Sequence, residues 1–263
     1  ADAFPSDTTQ WEDTDYDGYG DNSAGTQADG CPSLAGNSTL DRYGCTDADG
    51  DGYSNADSGW TTSNGADSCA YSSGTSSQDR NGCADADSDG YSDPDSGWTA
   101  SNGADAFPSD STQWVDGDGD GYGDNPPPAT NGDRCPSVSG TSTNDRFGCT
   151  DTDGDGYSDP DSGWTTGNGA DAFASDASQW ADGDGDGYGD NSAGTNPDAC
   201  PVQAGTSTEA GRLGCTDTDG DGYADLDDAF PNEVTQWIDS DADGYGDEAS
   251  GFQGDDCPSS AGT

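Results

Sequence analysis

The stretch Asp116-Gly-Asp118-Gly-Asp120-Gly-Tyr122-Gly-Asp124 decides how this chain is expected to fold. It places carboxylates at alternate positions and follows them with a glycine, an aromatic residue, a small residue and a further carboxylate. A loop that wraps a hard cation needs this order: side-chain oxygens at loop positions 1, 3, 5 and 9, a backbone carbonyl at position 7, and a sharp turn at position 6 that glycine makes easily. The stretch therefore predicts a calcium-binding loop.

The stretch occurs eight times along the 263 residues, in copies of two kinds. Trp-entered loops follow a tryptophan, and we predict them at 13–29, 116–133, 182–198 and 239–255. Cys-entered loops follow a cysteine, and we predict them at 47–67, 85–105, 151–171 and 217–228. Because both kinds keep glycine at position 6 and tyrosine at position 7, we treat residues 1–263 as one continuous array of eight loops.

Each loop ends on an acidic residue beyond position 9, which we predict to be the closing ligand normally found at position 12. The loop at 217–228 reaches this residue directly, whereas the other loops carry an insert. Cys-entered loops insert a stretch such as Ser162–Ala170. The loop at 116–133 inserts the Pro-rich stretch 125–132, so that Asp133 becomes its predicted closing ligand. Extra aspartates near the inserts give the loops more acidic groups than one ion needs, so we expect that some repeats could bind a second ion.

The predicted ligands are the side-chain oxygens at positions 1, 3, 5 and 9, the carbonyl of the position-7 tyrosine, the extra aspartates and the closing aspartates. In the Trp-entered loops they are Asp13, Asp15, Asp17, Tyr19, Asp21 and Asp29; Asp116, Asp118, Asp120, Tyr122, Asp124 and Asp133; Asp182, Asp184, Asp186, Tyr188, Asp190 and Asp198; and Asp239, Asp241, Asp243, Tyr245, Asp247 and Asp255. In the Cys-entered loops they are Asp47, Asp49, Asp51, Tyr53, Asn55, Asp57 and Asp67; Asp85, Asp87, Asp89, Tyr91, Asp93, Asp95 and Asp105; Asp151, Asp153, Asp155, Tyr157, Asp159, Asp161 and Asp171; and Asp217, Asp219, Asp221, Tyr223, Asp225, Asp227 and Asp228. We expect at least eight calcium ions, and up to two per loop. Magnesium is less apt, because it keeps its waters and rarely uses an all-protein cage.

The amino-acid composition rules out a large apolar core as the source of order in this chain. Leu, Ile, Val and Phe together number only 15, while the formal net charge is −50. Such a chain would normally be disordered, because it buries too little apolar surface to offset the entropy of ordering. Metal coordination and disulfides are the two remaining sources of order. A surface this acidic also makes nucleic acid and anionic membranes poor partners.

Nine cysteines indicate an oxidising, extracytoplasmic location. Each predicted disulfide would close a loop of about 15 residues, worth roughly 3 kcal/mol in the chain-entropy model. The spacing pairs Cys31 with Cys45, Cys69 with Cys83, Cys135 with Cys149, and Cys200 with Cys215, and leaves Cys257 over. Structural zinc and free thiols are the alternatives, but the CxxC pairs and histidines typical of zinc sites are absent from the sequence.

Two kinds of connector join the loops. One contains Phe and ends in Trp, as at 104–114, and the other is a Cys-to-Cys segment, as at 135–149. Neither contains a readable helix or alternating strand, so we expect turns and short bridges, with the aromatic residues forming small local cores. An arginine lies three residues before the second cysteine of each segment and is expected to bind a neighbouring aspartate or connector carbonyls. These arginines are Arg42, Arg80, Arg146 and Arg212.

The aspartate stretch, its repetition and the Cys-Pro pairs that follow resemble thrombospondin type 3 repeats. The pairs are at 31–32, 135–136, 200–201 and 257–258. The chain is also similar to calcium repeats of microbial surface proteins, which have Asp-Ala-Phe-Pro connectors that end in Trp. The resemblance implies an extracellular, wire-like array in which aspartates wrap calcium ions in series and disulfides act as secondary staples. The Cys-to-Cys segments and the Ser-Gly-Trp-Thr-Thr inserts depart from the family pattern.

We therefore expect a small, irregular repeat protein: an elongated, calcium-stapled array of EF-hand-like loops without flanking helices, with little regular secondary structure and with disulfide reinforcement. Its expected function is structural, as an extracellular or cell-surface rod, stalk or filament that self-associates or continues in the same chain. Ala1 begins within a connector and Thr263 ends within a Cys-to-Cys segment, so we expect these residues to belong to a longer repetitive chain.

The alternative function is a calcium-dependent adhesin that binds a glycan or another surface through exposed aromatics such as Trp60, Trp98 and Trp164. An enzyme is not expected, because the carboxylates repeat in a metal-binding pattern and the sequence contains neither histidine nor lysine. Membrane insertion is not expected either.

Overall fold

The structure is a computed structural model that describes residues 2–209 and 211–262. The expectations for Ala1 and Thr263 lie outside the described residues. Within the described part, the helical elements are three short 3-10 turns, Thr62–Asn64, Ala100–Asn102 and Thr166–Asn168. None of the helices described there is long and apolar enough to cross a membrane.

Each 3-10 turn lies in the insert of a Cys-entered loop and ends on a glycine with a left-handed backbone. Gly65, for example, has φ 108° and donates its N–H to Thr62. A glycine in this conformation stops a helix, which explains why the turns contain only three residues. The β-structure consists of isolated parallel bridges, such as the one between Asn55 and Asp67.

The chain divides into two compact units, Ala1–Ser137 and Val138–Thr263, and each is described by itself. Both units repeat the same loop and contain almost no regular secondary structure. Disulfides cross-link the chain. These observations confirm the irregular, disulfide-rich part of the predicted fold class.

Two backbone hydrogen bonds close every loop. The N–H at position 9 donates to the residue that precedes position 1, as Asp124 does to Val115 at 2.9 Å. The N–H of the closing aspartate donates to the position-8 carbonyl, as Asp133 does to Gly123 at 2.7 Å. Both bonds are present in all eight loops, although the inserts differ in length. The backbone thus brings each predicted closing aspartate back to the start of its own loop.

The interior is built from small and polar residues instead of aliphatic ones. The buried hydrophobic residues are half-cystines and alanines, namely Cys45, Cys83, Cys149, Cys215, Ala66, Ala104, Ala170 and Ala224. Buried serines tie them together: Ser38 donates its hydroxyl to the Arg42 carbonyl and accepts the Cys45 N–H at 2.9 Å. Ser76, Ser142 and Ser207 repeat this arrangement.

Three of the disulfides predicted from the spacing are described in the structure. The described bridges are Cys31–Cys45, Cys69–Cys83 and Cys200–Cys215, with Cα–Cα distances of 5.1, 5.0 and 5.2 Å, and Cys135 and Cys149 are disulfide-bonded as well. These distances lie in the ordinary range for disulfides. Cys257 is a free, exposed cysteine.

A buried glutamine anchors the insert of each Trp-entered loop, and it was not predicted from the sequence. Gln113, in the connector that enters the loop at 116–133, is only 1% exposed. Its amide nitrogen donates to the Asn125 and Thr130 carbonyls at 3.1 and 3.2 Å, and its carbonyl oxygen accepts the Asn125 N–H at 2.9 Å. Gln10, Gln179 and Gln236 make the equivalent bonds.

Replacing Gln113 should loosen the insert at 125–132. Gln113→Ala leaves two carbonyls and one N–H without their partner, so we expect the free energy of opening of this insert to fall by about 1–3 kcal/mol. Native-state hydrogen exchange at the Asn125 amide measures this change. Gln78→Ala is the control, because Gln78 is exposed in the same unit. Equal effects of the two variants would contradict the anchoring role.

Candidate metal centres

The carboxylates at positions 1, 3 and 5 converge in groups that could hold a metal ion. Within a group, one oxygen from each residue lies within 4.8 Å of the others. The groups include Asp13, Asp15 and Asp17; Asp47, Asp49 and Asp51; Asp85, Asp87 and Asp89; Asp116, Asp118 and Asp120; Asp151, Asp153 and Asp155; and three more. This proximity matches the alternate spacing of the aspartates in the sequence.

Backbone N–H groups fix the carboxylate orientations within each loop. In the loop at 116–133, Asp116 accepts the Gly119 N–H at 2.7 Å and the Gly121 N–H at 3.0 Å. Asp120 accepts the Tyr122 N–H at 2.9 Å. Gly121 has φ 93°, which side-chain-bearing residues rarely adopt, so the position-6 glycine is required for this turn.

The closing aspartates are deeply buried beside the other carboxylates of their loops. Asp67 is only 2% exposed, and Asp105 and Asp171 are only 1% exposed. Burial raises the pKa of Asp133 to about 6; the Cys135 N–H opposes the shift, and Asp120 and Asp118 add to it. Burial likewise raises the pKa of Asp29, Asp67, Asp105 and Asp171 to about 6. The protein therefore disfavours the ionised form of these carboxyls relative to an exposed aspartate.

The described residues contain 22 buried side-chain oxygens or nitrogens without a hydrogen-bond partner, and all 22 are carboxylate oxygens at positions 3, 5 or closing. They belong to Asp15, Asp29, Asp49, Asp67, Asp87, Asp89, Asp105, Asp118, Asp133, Asp153, Asp155, Asp171, Asp184, Asp198, Asp219, Asp221, Asp241 and Asp255. Buried polar groups in folded proteins are almost always paired, and an unpaired one costs about 1–3 kcal/mol. All of these unpaired oxygens lie in the loops, and this concentration points to a cationic ligand at these positions.

The segment that follows a loop supplies one more donor to its position-5 carboxylate. Gly36 donates its N–H to Asp17 Oδ2 at 3.1 Å, and Gly74 donates to Asp51 Oδ2 at 3.2 Å. The three loops followed by a Phe connector lack this glycine, and there the same oxygen has no partner. These oxygens are Oδ2 of Asp89, Asp155 and Asp221.

The extra aspartates lie outside the carboxylate groups. Asp57 Oδ1 accepts the Gly59 and Trp60 N–H groups, and its Oδ2 forms an ion pair with Arg42 at 2.8 Å. Asp95, Asp161 and Asp227 pair in the same way with Arg80, Arg146 and Arg212. The predicted contact between each recurring arginine and a neighbouring aspartate is confirmed. Both oxygens of Asp57, Asp95 and Asp161 and the Oδ2 of Asp227 are thus engaged within the protein, which disfavours these aspartates as ligands.

The arginine contact belongs to a larger cluster, the clasp, formed by Asp41, Arg42, Ser54, Asp57 and Trp60. Asp41 accepts the Ser54 N–H at 2.8 Å, the Ser54 hydroxyl at 2.6 Å and the Trp60 indole N–H at 3.0 Å. The Arg42 guanidinium lies over the Trp60 ring, 5.2 Å from its centroid. Two further clasps repeat this pattern at Asp79, Ser92 and Trp98, and at Asp145, Ser158 and Trp164.

The connector tryptophans form the predicted local aromatic cores. Three of them stack on the position-7 tyrosine of the preceding Cys-entered loop: Tyr91 with Trp114, Tyr157 with Trp180, and Tyr223 with Trp237, with ring centroids 5.0, 5.3 and 5.3 Å apart; Trp11 is exposed. This contact joins a Cys-entered loop to the Trp-entered loop that follows it.

The aspartate of the clasp was not predicted from the sequence, although the sequence carries a signal for it. The motif Asp-Arg occurs in the three Cys-to-Cys segments that precede a Ser-Gly-Trp insert, at 41–42, 79–80 and 145–146. The segment at 200–215 precedes the loop without an insert, and there Gly211 precedes Arg212. That loop also has Ala224 where the other Cys-entered loops have the clasp serine. Asp, Ser and Trp are therefore present or absent together.

Comparisons with known proteins name no family for this chain, so only the geometry of the site bears on its function. No protein-family model matches the chain, and no curated protein matches it in sequence.

Gly44 packs against the carboxylate group of the loop at 13–29, which gives a test of its geometry. Gly44 and Gly50 both have left-handed backbones, with φ 73° and 81°. A Cβ on Gly44 would lie 2.6 Å from Asp29 Oδ1 and 2.8 Å from Asp17 Oδ2, whereas one on Gly50 would meet nothing within 4 Å. We expect Gly44→Ala to lower the free energy of unfolding by about 1–3 kcal/mol more than Gly50→Ala. Chemical denaturation at one fixed calcium concentration measures both, and equal losses would contradict this close packing.

Proposed function

We propose that this protein is an extracellular calcium-binding structural protein, whose loops and local disulfides together rigidify a rod, stalk or filament. The observation that carries the proposal is the set of 22 buried, unpartnered carboxylate oxygens, all of them at loop positions 3, 5 and closing. Cations at these positions would offset both the unpaired oxygens and the mutual repulsion of the carboxylates. Folding and cation binding would then be one event.

Calcium is the cation that the donor set fits best. The ligands are all oxygens, they come from the protein, and each loop offers at least four carboxylates, which suits an ion that takes six to eight oxygen ligands. The proposed set for each loop is the side chains at positions 1, 3, 5 and 9, the position-7 carbonyl and the closing aspartate. One ion in each of eight loops would neutralise 16 of the 50 net negative charges.

The structural role is supported by the kind of interactions that order the chain. The described interior contains half-cystines, alanines, serines and glutamines, and it lacks a large aliphatic core. Disulfides indicate an oxidising environment, which supports an extracellular or cell-surface location. The resemblance to thrombospondin type 3 repeats points to the same role, with calcium ions in series along the chain and self-association or chain continuation as the mode of assembly.

The adhesin alternative depended on exposed aromatics, and the clasps occupy the three tryptophans named for it, whereas Tyr16 and Tyr71 are 89% and 88% exposed. Trp60, Trp98 and Trp164 are half-buried, each donates its indole N–H to an aspartate, and each has an arginine over its ring. This arrangement favours a structural role over a glycan-binding one for these three tryptophans.

Removing calcium should unfold the loops. Each occupied site would contribute about 2.7 kcal/mol at a calcium concentration 100 times its Kd, so several sites exceed the stability of an ordinary domain. We expect a chelator to increase the hydrodynamic radius and to make the loops sensitive to protease, and calcium to reverse both changes. Magnesium at the same concentration is the control and should restore less. Unchanged size and protease resistance after chelation would refute the proposed function.

Single closing aspartates should each govern one site. We expect Asp133→Ala to remove one ion from the stoichiometry measured by native mass spectrometry, because it deletes the buried ligand of the loop at 116–133. Asp57→Ala is the matched control and should leave the ion count unchanged, since Asp57 is paired with Arg42. A loss of one ion in Asp57→Ala and none in Asp133→Ala would reverse the ligand assignment.

A further inference from the structure

The segment closed by Cys31 and Cys45 contacts two successive carboxylate groups. On one side it meets the group of the loop at 13–29: Gly36 donates to Asp17, and Gly44 is packed against Asp29. The Tyr43 carbonyl also accepts the Gly30 N–H at 2.8 Å, directly after the closing aspartate. The position of this segment is therefore tied to the two carboxylates that complete the first site.

On its other side, the same segment holds the loop at 47–67. The Thr39 and Leu40 N–H groups donate to the Gly52 carbonyl at 2.8 and 2.9 Å, at the position-6 turn. Through the clasp, Asp41 fixes Ser54, whose carbonyl accepts the N–H of the closing Asp67 at 2.9 Å. The clasp thus positions the backbone that delivers the closing ligand of the second site.

The closing aspartate is more deeply buried in the Cys-entered loops that have a clasp than in the one that lacks it. In the three loops that have a clasp, the closing aspartates Asp67, Asp105 and Asp171 are 2%, 1% and 1% exposed. In the loop without one, Asp228 is 8% exposed. The Arg212–Asp227 ion pair is present there at 2.5 Å, so an ion pair without the Asp and Trp contacts does not produce the deeper burial.

We infer that the clasp couples neighbouring calcium sites, so that occupation of the site at 13–29 raises the calcium affinity of the site at 47–67. The inference rests on the proposed function. Occupation of the first site fixes Asp17 and Asp29, which fixes the disulfide-closed segment; the segment then presents Asp41 and Arg42 in the geometry that seats the insert and Asp67. Asp41 and Trp60 are positioning residues in this scheme, since they act through Asp67 and touch no ion themselves.

The segment at 69–83 repeats the arrangement toward the loop at 85–105. Gly74 donates to Asp51, and Asp79 holds Ser92 and Trp98. The same coupling therefore continues from the second site to the third. It involves the Cys-to-Cys segment and the Ser-Gly-Trp insert, which are the two parts of this chain that depart from thrombospondin type 3 repeats.

A double-mutant comparison on the full, oxidised chain tests the coupling. Hydrogen exchange with mass spectrometry, followed as calcium is added, gives a midpoint concentration for protection of the peptide that covers 47–57. Asp15→Asn with Asp29→Asn disables the first site, and we expect it to raise this midpoint about fivefold or more. In a Trp60→Phe background, which keeps the ring and removes the indole N–H, the same change should raise the midpoint less than about twofold.

Trp98→Phe is the matched control, because it makes the same substitution in the next clasp and should leave the fivefold effect on 47–57 intact. A midpoint at 47–57 that depends on calcium but does not respond to the loss of the first site would overturn the coupling and leave calcium binding standing. Calcium-independent protection in every loop would overturn the proposed function, and the coupling with it.

Discussion

Repulsion between carboxylates is the constraint on which the rest of this structure depends. The oxygens of positions 1, 3 and 5 lie within 4.8 Å of one another, and two unit charges 4 Å apart repel by about 4 kcal/mol at an effective dielectric constant of 20. Backbone N–H groups at positions 4, 6 and 7 offset part of this repulsion, and glycines such as Gly36 offset more. The remaining 22 oxygens have no hydrogen-bond partner in the described protein, and the proposed cations would complete the loops.

Small polar contacts stabilise this fold in place of the aliphatic core found in other proteins. Ser38 links two backbone segments inside its disulfide, and Gln113 links a connector to an insert. Each contact acts over a short distance along the chain, and each recurs in every equivalent repeat. In such a protein the loss of one contact is expected to affect its own repeat and the immediate neighbours, because no shared core extends along the chain.

Spacing in the sequence is enough to predict the loop turns and the return of each closing aspartate to its loop, while the role of these aspartates as ligands stays a prediction. The position-6 glycine and the alternate aspartates fix the turn, and Asp133 is reached beyond its Pro-rich insert because the backbone bond to Gly123 returns the chain to the loop. The roles of Gln113 and Asp41 were not predicted, because a glutamine or aspartate in a polar connector has many exposed alternatives. The extra aspartates were assigned to metal on charge alone, whereas an arginine 15 residues away in sequence pairs with each one.

The loop at 217–228 explains what the long inserts contribute. It closes without an insert, and it lacks the clasp aspartate, serine and tryptophan. Its closing Asp228 is 8% exposed, the closing residues of the Trp-entered loops are 5–8% exposed, and those behind a clasp are 1–2% exposed. Closing the loop is therefore possible without an insert, and the exclusion of water from the closing carboxylate accompanies the clasp that the Ser-Gly-Trp insert completes. Excluding water strengthens every electrostatic interaction of that carboxylate, so under the proposed function the clasp would make the cation more necessary to the fold and the site more dependent on its neighbour.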